Sequence, residues 1–125
     1  MEIFKKHIVV GGSRNFNDYQ YFSKKMDTIL SRIKNDDLVI ISGHCRGTDM
    51  MAERYAKEKG YQLVIIEADW KLGRKAGPIR NKQMVDLADY AVAFLGNGPG
   101  TESLIKLSKK KGILIRIIDI RNKTE

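Results

Sequence analysis

The sequence has a single cysteine, Cys45, two prolines and one tryptophan among its 125 residues. One thiol cannot close an intramolecular disulfide, and Cys45 lacks the Cys and His neighbours of a zinc cluster. A disulfide scaffold and a structural metal are therefore excluded, no metal or cofactor is expected, and a reducing, cytoplasmic compartment is the natural expectation. Long apolar runs are missing as well. The opening MEIFKKHIVVGG holds only a few apolar residues before its glycines, too few for a signal-peptide core and far too few for a membrane span, so no membrane partner is expected. There is no heptad, fixed-period repeat or low-complexity tract. With 42% hydrophobic and 30% charged residues, the chain has the balance of a packed protein, and its length reads as one domain over residues 1–125.

Acidic residues are the scarcer sign of charge: 15 Asp and Glu against 23 Lys and Arg leave a net charge of +8. Such an excess directs attention to a phosphate-bearing partner, either a nucleotide or a nucleic acid. The excess is unevenly spread, since residues 106–123 hold seven basic residues and one acidic one. That segment reads as a solvated basic face, separate from the loops that carry chemistry.

Five short apolar runs read as buried strands: Ile8 to Val10, Leu38 to Ile41, Leu63 to Ile66, Ala91 to Leu95 and Ile113 to Ile118. Between them lie segments of helical period. Phe22, Met26, Ile29, Leu30 and Ile33 share one face of the first. In the second, Met51, Ala52, Tyr55 and Ala56 form the apolar stripe, with Glu53, Arg54, Lys57, Glu58 and Lys59 expected to face water and Gly60 to cap the end. A third helix is expected from Pro78 to about Ala88, and a fourth from Thr101 to Lys111 with Gly112 after it. Strand alternating with helix implies right-handed βαβ crossovers. The fold class is therefore α/β, a single Rossmann-like domain with a five-stranded parallel sheet and helices on both faces. Ligands of such sheets bind beyond the carboxyl ends of the strands.

The first strand ends in GGSRNF, Gly11 to Phe16, where Gly12 permits close backbone approach, Ser13 offers a hydroxyl and Arg14 a planar fork for phosphate. The bland alternative is a turn capped by Asn15 or Asn17. The second strand ends in SGHCRGTDMMAERYA, Ser42 to Ala56. There Gly43 and Gly47 bracket a tight turn, and the helix starting near Thr48 turns its amides toward an anion. Asp49 reads either as a site carboxylate or as an acid that stabilises the helix dipole. His44 and Cys45 suggest a nucleophile, but with no Asp or Glu in position to orient the histidine the pair receives no catalytic role. The stretch Glu67 to Met84 is long, irregular and basic. It holds Trp70, which either stacks on a base or covers the sheet edge, and Arg80 and Asn81 in the first turns of the third helix. The last loop, GNGPGTES, sets Gly96, Gly98 and Gly100 before Thr101 as a bare backbone cradle. It matches neither GxGxxG nor the P-loop, which argues against a dinucleotide oxidoreductase and an NTP hydrolase.

Taken in order, GSR at Gly12 to Arg14, SGHCRGTDMMAERYA, ADWKLGRKAGPIRNKQM at Ala68 to Met84 and GPGT at Gly98 to Thr101 resemble the SLOG superfamily. This superfamily includes the Lonely Guy phosphoribohydrolases, the DNA-processing protein A family and, nearest in pattern, the YspA/YpsA-related small proteins. The resemblance implies a nucleotide or nucleotide-derived ligand, with Gly12, Ser13, Arg14, Gly43, Gly47, Asp49, Arg80, Asn81, Gly98, Gly100 and Thr101 as matching site positions. A sensor or sequestering module is the first expectation. An N-glycosidase with Asp49 or Glu102 as its carboxylate is the second, and nucleic-acid binding the third. The phosphoribohydrolases place a glutamate third after the threonine, whereas here Glu102 follows Thr101 directly. Each step along a helix turns a side chain by about 100 degrees, so the carboxylate is displaced from the position their chemistry uses. Some relatives are oligomeric, so a homo-oligomer is also an expectation.

Overall fold

The computed structural model describes residues 5–33 and 37–121. The first four residues of the opening stretch and Lys123 of the basic C-terminal segment lie outside that range. Five strands, β1 (Lys6–Gly12), β2 (Leu38–Ser42), β3 (Gln62–Ile65), β4 (Tyr90–Leu95) and β5 (Leu114–Asp119), form one all-parallel sheet in the order β3-β2-β1-β4-β5. Four α-helices supply the crossovers: α1 (Tyr19–Ser31), α2 (Thr48–Lys59), α3 (Ala76–Leu87) and α4 (Pro99–Lys111). The Rossmann-like α/β reading holds.

The central strand shows why the apolar runs are continuous. Ile8, Val9 and Val10 are all fully buried, with Ile8 and Val10 packing under α1 and α2 and Val9 packing on the opposite face against Val85 and Leu104 of α3 and α4. A strand covered on both faces has no polar side to alternate with. On the α1–α2 side the core is aromatic, with the Phe22 and Phe94 rings 4.9 Å apart.

The helix boundaries follow local chemistry, with three corrections to the sequence reading. Asp18, not Asn15 or Asn17, caps α1, accepting from Tyr21 N at 3.1 Å. Helix α3 starts at Ala76, two residues before Pro78, which is tolerated because first-turn N–H groups have no intrahelical acceptor. Helix α4 starts at Pro99, whose ring presets the backbone angle of a first helical residue. Gly60 and Gly112 close α2 and α4 as expected.

From β1 the chain crosses first toward β2 and β3, and later returns to β4 and β5 on the other side. Connections therefore diverge between β1 and β4, and a crevice opens beyond their carboxyl ends. No helix among the described residues is long and apolar enough to cross a membrane.

Candidate functional site

The crevice has two tiers. The lower is a small niche of about 50 Å³ lined by Gly12, Arg14, Cys45, Asp49, Arg80, Asn81, Gly100 and Thr101 among others. Arg80, only 6% exposed, donates from Nη1 to Gly43 O at 2.7 Å and from Nε to Asn81 Oδ1 at 3.0 Å, with Cys45 Sγ 3.7 Å from Nη1. Among the described residues these bonds use Nε and Nη1 and leave Nη2 over. Gly43 has no side chain because the guanidinium occupies its place, 2.7 Å from where a Cβ would sit. Asn81 holds α4 through Gly100 O and Ser103 Oγ.

Asp49 sits at the niche wall in the first turn of α2, where it accepts from Cys45 N at 3.2 Å. Burial pushes its carboxyl up to about 6, more than the Cys45 N–H and the Arg80 and Arg14 charges pull it down. It is thus a carboxyl that exchanges its proton near neutrality.

Above the niche lies a cleft of about 570 Å³, walled by the β1 loop, the 96–100 loop and a 3₁₀ turn at Trp70–Lys75. Ser13, Arg14, Gly98, Gly100 and Thr101 line it, joined by Arg46, Trp70, Arg74 and Arg121. Ser13 ties the two walls together, donating from its N to Phe94 O and accepting on its O from Thr48 N and Oγ1. Gly47 lets α2 begin directly beneath it. Its φ is +79°, and a Cβ there would stand 2.5 Å from Arg14 O.

The structure thus brings Gly12, Ser13, Arg14, Asp49, Arg80, Asn81, Gly98, Gly100 and Thr101 around one crevice, with Gly43 and Gly47 packed behind it. Glu102 does not join them. It is exposed in the first turn of α4 and lines a separate groove with Pro78, Ile79 and Lys106. Trp70, expected either to stack on a base or to cover the sheet edge, is 55% exposed and lines the cleft.

Glu53 overturns a second expectation. It is 4% exposed rather than facing water, and its Oε2 accepts from Ser42 Oγ at 2.9 Å and from His44 Nδ1 at 2.8 Å. An acid does orient this histidine. Its pKa is raised, chiefly by that hydrogen bond and the Glu53 charge. His44 also holds φ at 61°, the left-handed region, so its backbone is locally strained. The missed signal was spacing: Glu53 lies four residues after Asp49 and three before Ala56, on the inner face of α2. Arg46, Arg74 and Arg121 were missed as cleft residues because they reach it from three different loops. Among the described residues, no group of three or more His, Cys, Asp or Glu is close enough to hold a metal ion.

Residues 6–73 match the model of the YspA, cpYpsA-related SLOG family. The chain is also 33% identical over 116 residues to "Gene 61 protein" of Mycobacterium phage D29, covering 86% of this chain and 92% of that protein. The family match takes in β1, both glycine turns and the start of the Trp70 turn.

Proposed function

The chain belongs to the YspA, cpYpsA-related SLOG family, and from that premise we propose that it binds a nucleotide or nucleotide-derived ligand at the carboxyl ends of β1 and β4, as a sensor or sequestering module. The observation that carries this reading is the guanidinium of Arg80, buried beneath the crevice with Nη2 left over, at the foot of a cleft rimmed by further arginines. The remaining Nη2 edge of a guanidinium held rigidly by Gly43 and Asn81 suits a phosphate oxygen, and the Gly100 and Thr101 amides in the first turn of α4 add donors of the same sign. Calorimetry against AMP, NAD, ADP-ribose and cyclic nucleotides tests it. Binding of at least one, weakened tenfold or more by Arg14→Ala, is expected; silence toward all of them refutes the reading.

Asp49 favours a second reading, N-glycosidic hydrolysis of a nucleoside monophosphate or NAD-like substrate. A carboxyl at about 6 is matched to accept a proton near neutral pH. In this reading Asp49 acts as the base for water, and Glu102, facing another groove, takes no part. Prolonged incubation of the protein with AMP or NAD should then release free base, and Asp49→Asn should abolish the release. Intact nucleotide at high protein concentration leaves the binding module as the function.

A further inference from the structure

We propose that the ligand of this cleft carries two or more linked phosphates, and that its aromatic base stacks on Trp70. The inference rests on the nucleotide reading above and specifies the class of nucleotide.

Charge comes first. Four arginines line the cleft, Arg14, Arg46, Arg74 and Arg121, and no Asp or Glu lines it. Arg121 is matched already, its Nη2 lying 2.6 Å from Asp119 Oδ2. Among the described residues Arg14, Arg46 and Arg74 form no ion pair, and Arg46 has only the neutral Asn15 side chain at 3.4 Å. Three cations without an ion-pair partner therefore face one cavity, Arg14 alone among them also feeling the Asp49 charge. A phosphate monoester brings about −1.5 to −2 at neutral pH, which leaves one of them without a counter-charge. A pyrophosphate brings roughly one charge more and closes the gap.

Geometry supplies two anion positions, because two helices begin at this cleft. Gly77 and Pro78 of the first turn of α3 line it, and so do Pro99, Gly100 and Thr101 of α4. Of these residues Gly77 of α3 and Gly100 and Thr101 of α4 carry first-turn N–H groups, whereas Pro78 and Pro99 have none and the Ala76 N–H already donates to Gly73 O. Arg74 stands just before α3 and Arg14 beside the α4 loop, one cation for each start. The cleft, at about 570 Å³, falls within the span of small-molecule sites and exceeds what a single phosphate fills.

Trp70 supplies the base platform. The indole is 55% exposed on a turn fixed by Asp69, whose side chain accepts from Lys71 N and whose carbonyl accepts from Leu72 N. The Arg14 guanidinium lies 5.3 Å from its ring centroid. A flat apolar ring with a guanidinium over one face and more than half its surface open is an arrangement on which a nucleobase stacks.

Trp70 is the only tryptophan, so intrinsic fluorescence reports on this position alone. Titration with AMP, ADP, inorganic pyrophosphate and ribose 5-phosphate at fixed ionic strength, paralleled by calorimetry, is the test. ADP is expected to bind about tenfold or more tightly than AMP. Both nucleotides should quench the indole, while pyrophosphate binds without an equal quench. Trp70→Leu should weaken ADP about tenfold and leave pyrophosphate unchanged. Arg74→Gln should bring the ADP-to-AMP ratio close to one. Both residues are exposed, and circular dichroism checks that the variants remain folded. Equal affinity for AMP and ADP, or ADP binding indifferent to Trp70→Leu, overturns the proposal while the nucleotide reading survives. Failure of every nucleotide to bind overturns both. A single-stranded oligonucleotide that displaces ADP and quenches more strongly overturns it in favour of nucleic acid.

Discussion

At Asp49, burial raises the carboxyl from 3.8 to about 6, so the folded protein holds this proton more tightly than the unfolded chain does. The stabilisation is complete below about pH 4 and is lost as pH rises through about 6. Above that, the ionised group costs up to about 3 kcal/mol, since each tenfold change in proton affinity is worth roughly 1.4 kcal/mol. Asp49→Asn removes the titration. Thermal unfolding at pH 4, 5.5 and 7.5 should show wild type losing more stability across the window than the variant, which keeps only the His44 dependence, leaving the variant about 1–3 kcal/mol more stable at pH 7.5. Parallel profiles would disprove the assignment. His44 follows the same direction from the other charge type. Its raised pKa means that the imidazolium favours the fold below about 6.5, a contribution that fades as pH rises through the folded value. Glu53→Gln removes the principal cause. NMR titration should therefore return His44 toward 6.5, and an unmoved titration would exclude Glu53 as the orienting acid.

At the scale of elements, two joints hold the helices on the sheet, the first at the edge away from the crevice and the second at the crevice itself. The first is the end of α3, where Lys111 Nζ donates to Val85 O, Asp86 O and Ala88 O at 2.8–2.9 Å. A cation on the last carbonyls of a helix satisfies orphan acceptors and complements the dipole. Lys111→Met should cost about 1–3 kcal/mol in denaturant unfolding, against less than about 0.5 for the exposed Lys110→Met. The second is the start of α2. Gly47 and Gly60 both have positive φ, at +79° and +76°, but Gly60 lies in the left-handed helical region at ψ 20° whereas Gly47, at ψ −125°, holds a conformation that suits glycine alone, and only Gly47 has Arg14 O, Arg14 C and Ser13 O where a Cβ would go. Gly60→Ala should therefore cost about 1 kcal/mol for its backbone alone. Gly47→Ala should cost well beyond that and loosen the cleft as well, and equal losses for the two would refute the packing account.

For the whole molecule, the +8 charge separates into parts with different work. Arg14, Arg46, Arg74 and Arg121 face the cleft, Lys111 holds the end of α3, and Lys106, Lys109 and Lys110 remain on the open face of α4. The basic C-terminal segment is therefore not one solvated face, as its composition suggested. Attraction of DNA to the open lysines alone is sequence-blind and falls steeply with salt. A gel shift should show retention at low salt that is gone near physiological salt and is lost in the Lys109→Gln/Lys110→Gln variant. Retention at physiological salt that survives those changes would give nucleic acid a larger role than this charge distribution supports.

By itself, the sequence determined the five strands, the helical stripes, the glycine caps and the loops that end the strands. Each depends on neighbours within a few residues, a period of two or 3.6, or a backbone only glycine adopts. It also marked Arg80, Asn81 and the glycine cradle, because residues after a parallel strand must sit at the same edge of the sheet. The tertiary structure decided what depends on strands meeting out of chain order. Placing β4 beside β1 sets the 96–100 loop against Ser13, and Arg14, Arg46, Arg74 and Arg121 converge from separate loops. The inward turn of Glu53 toward His44, the rise of the Asp49 carboxyl and the exposure of Trp70 are of the same kind. Burial and Coulomb interaction are set by distance in space, and no local pattern carries that distance.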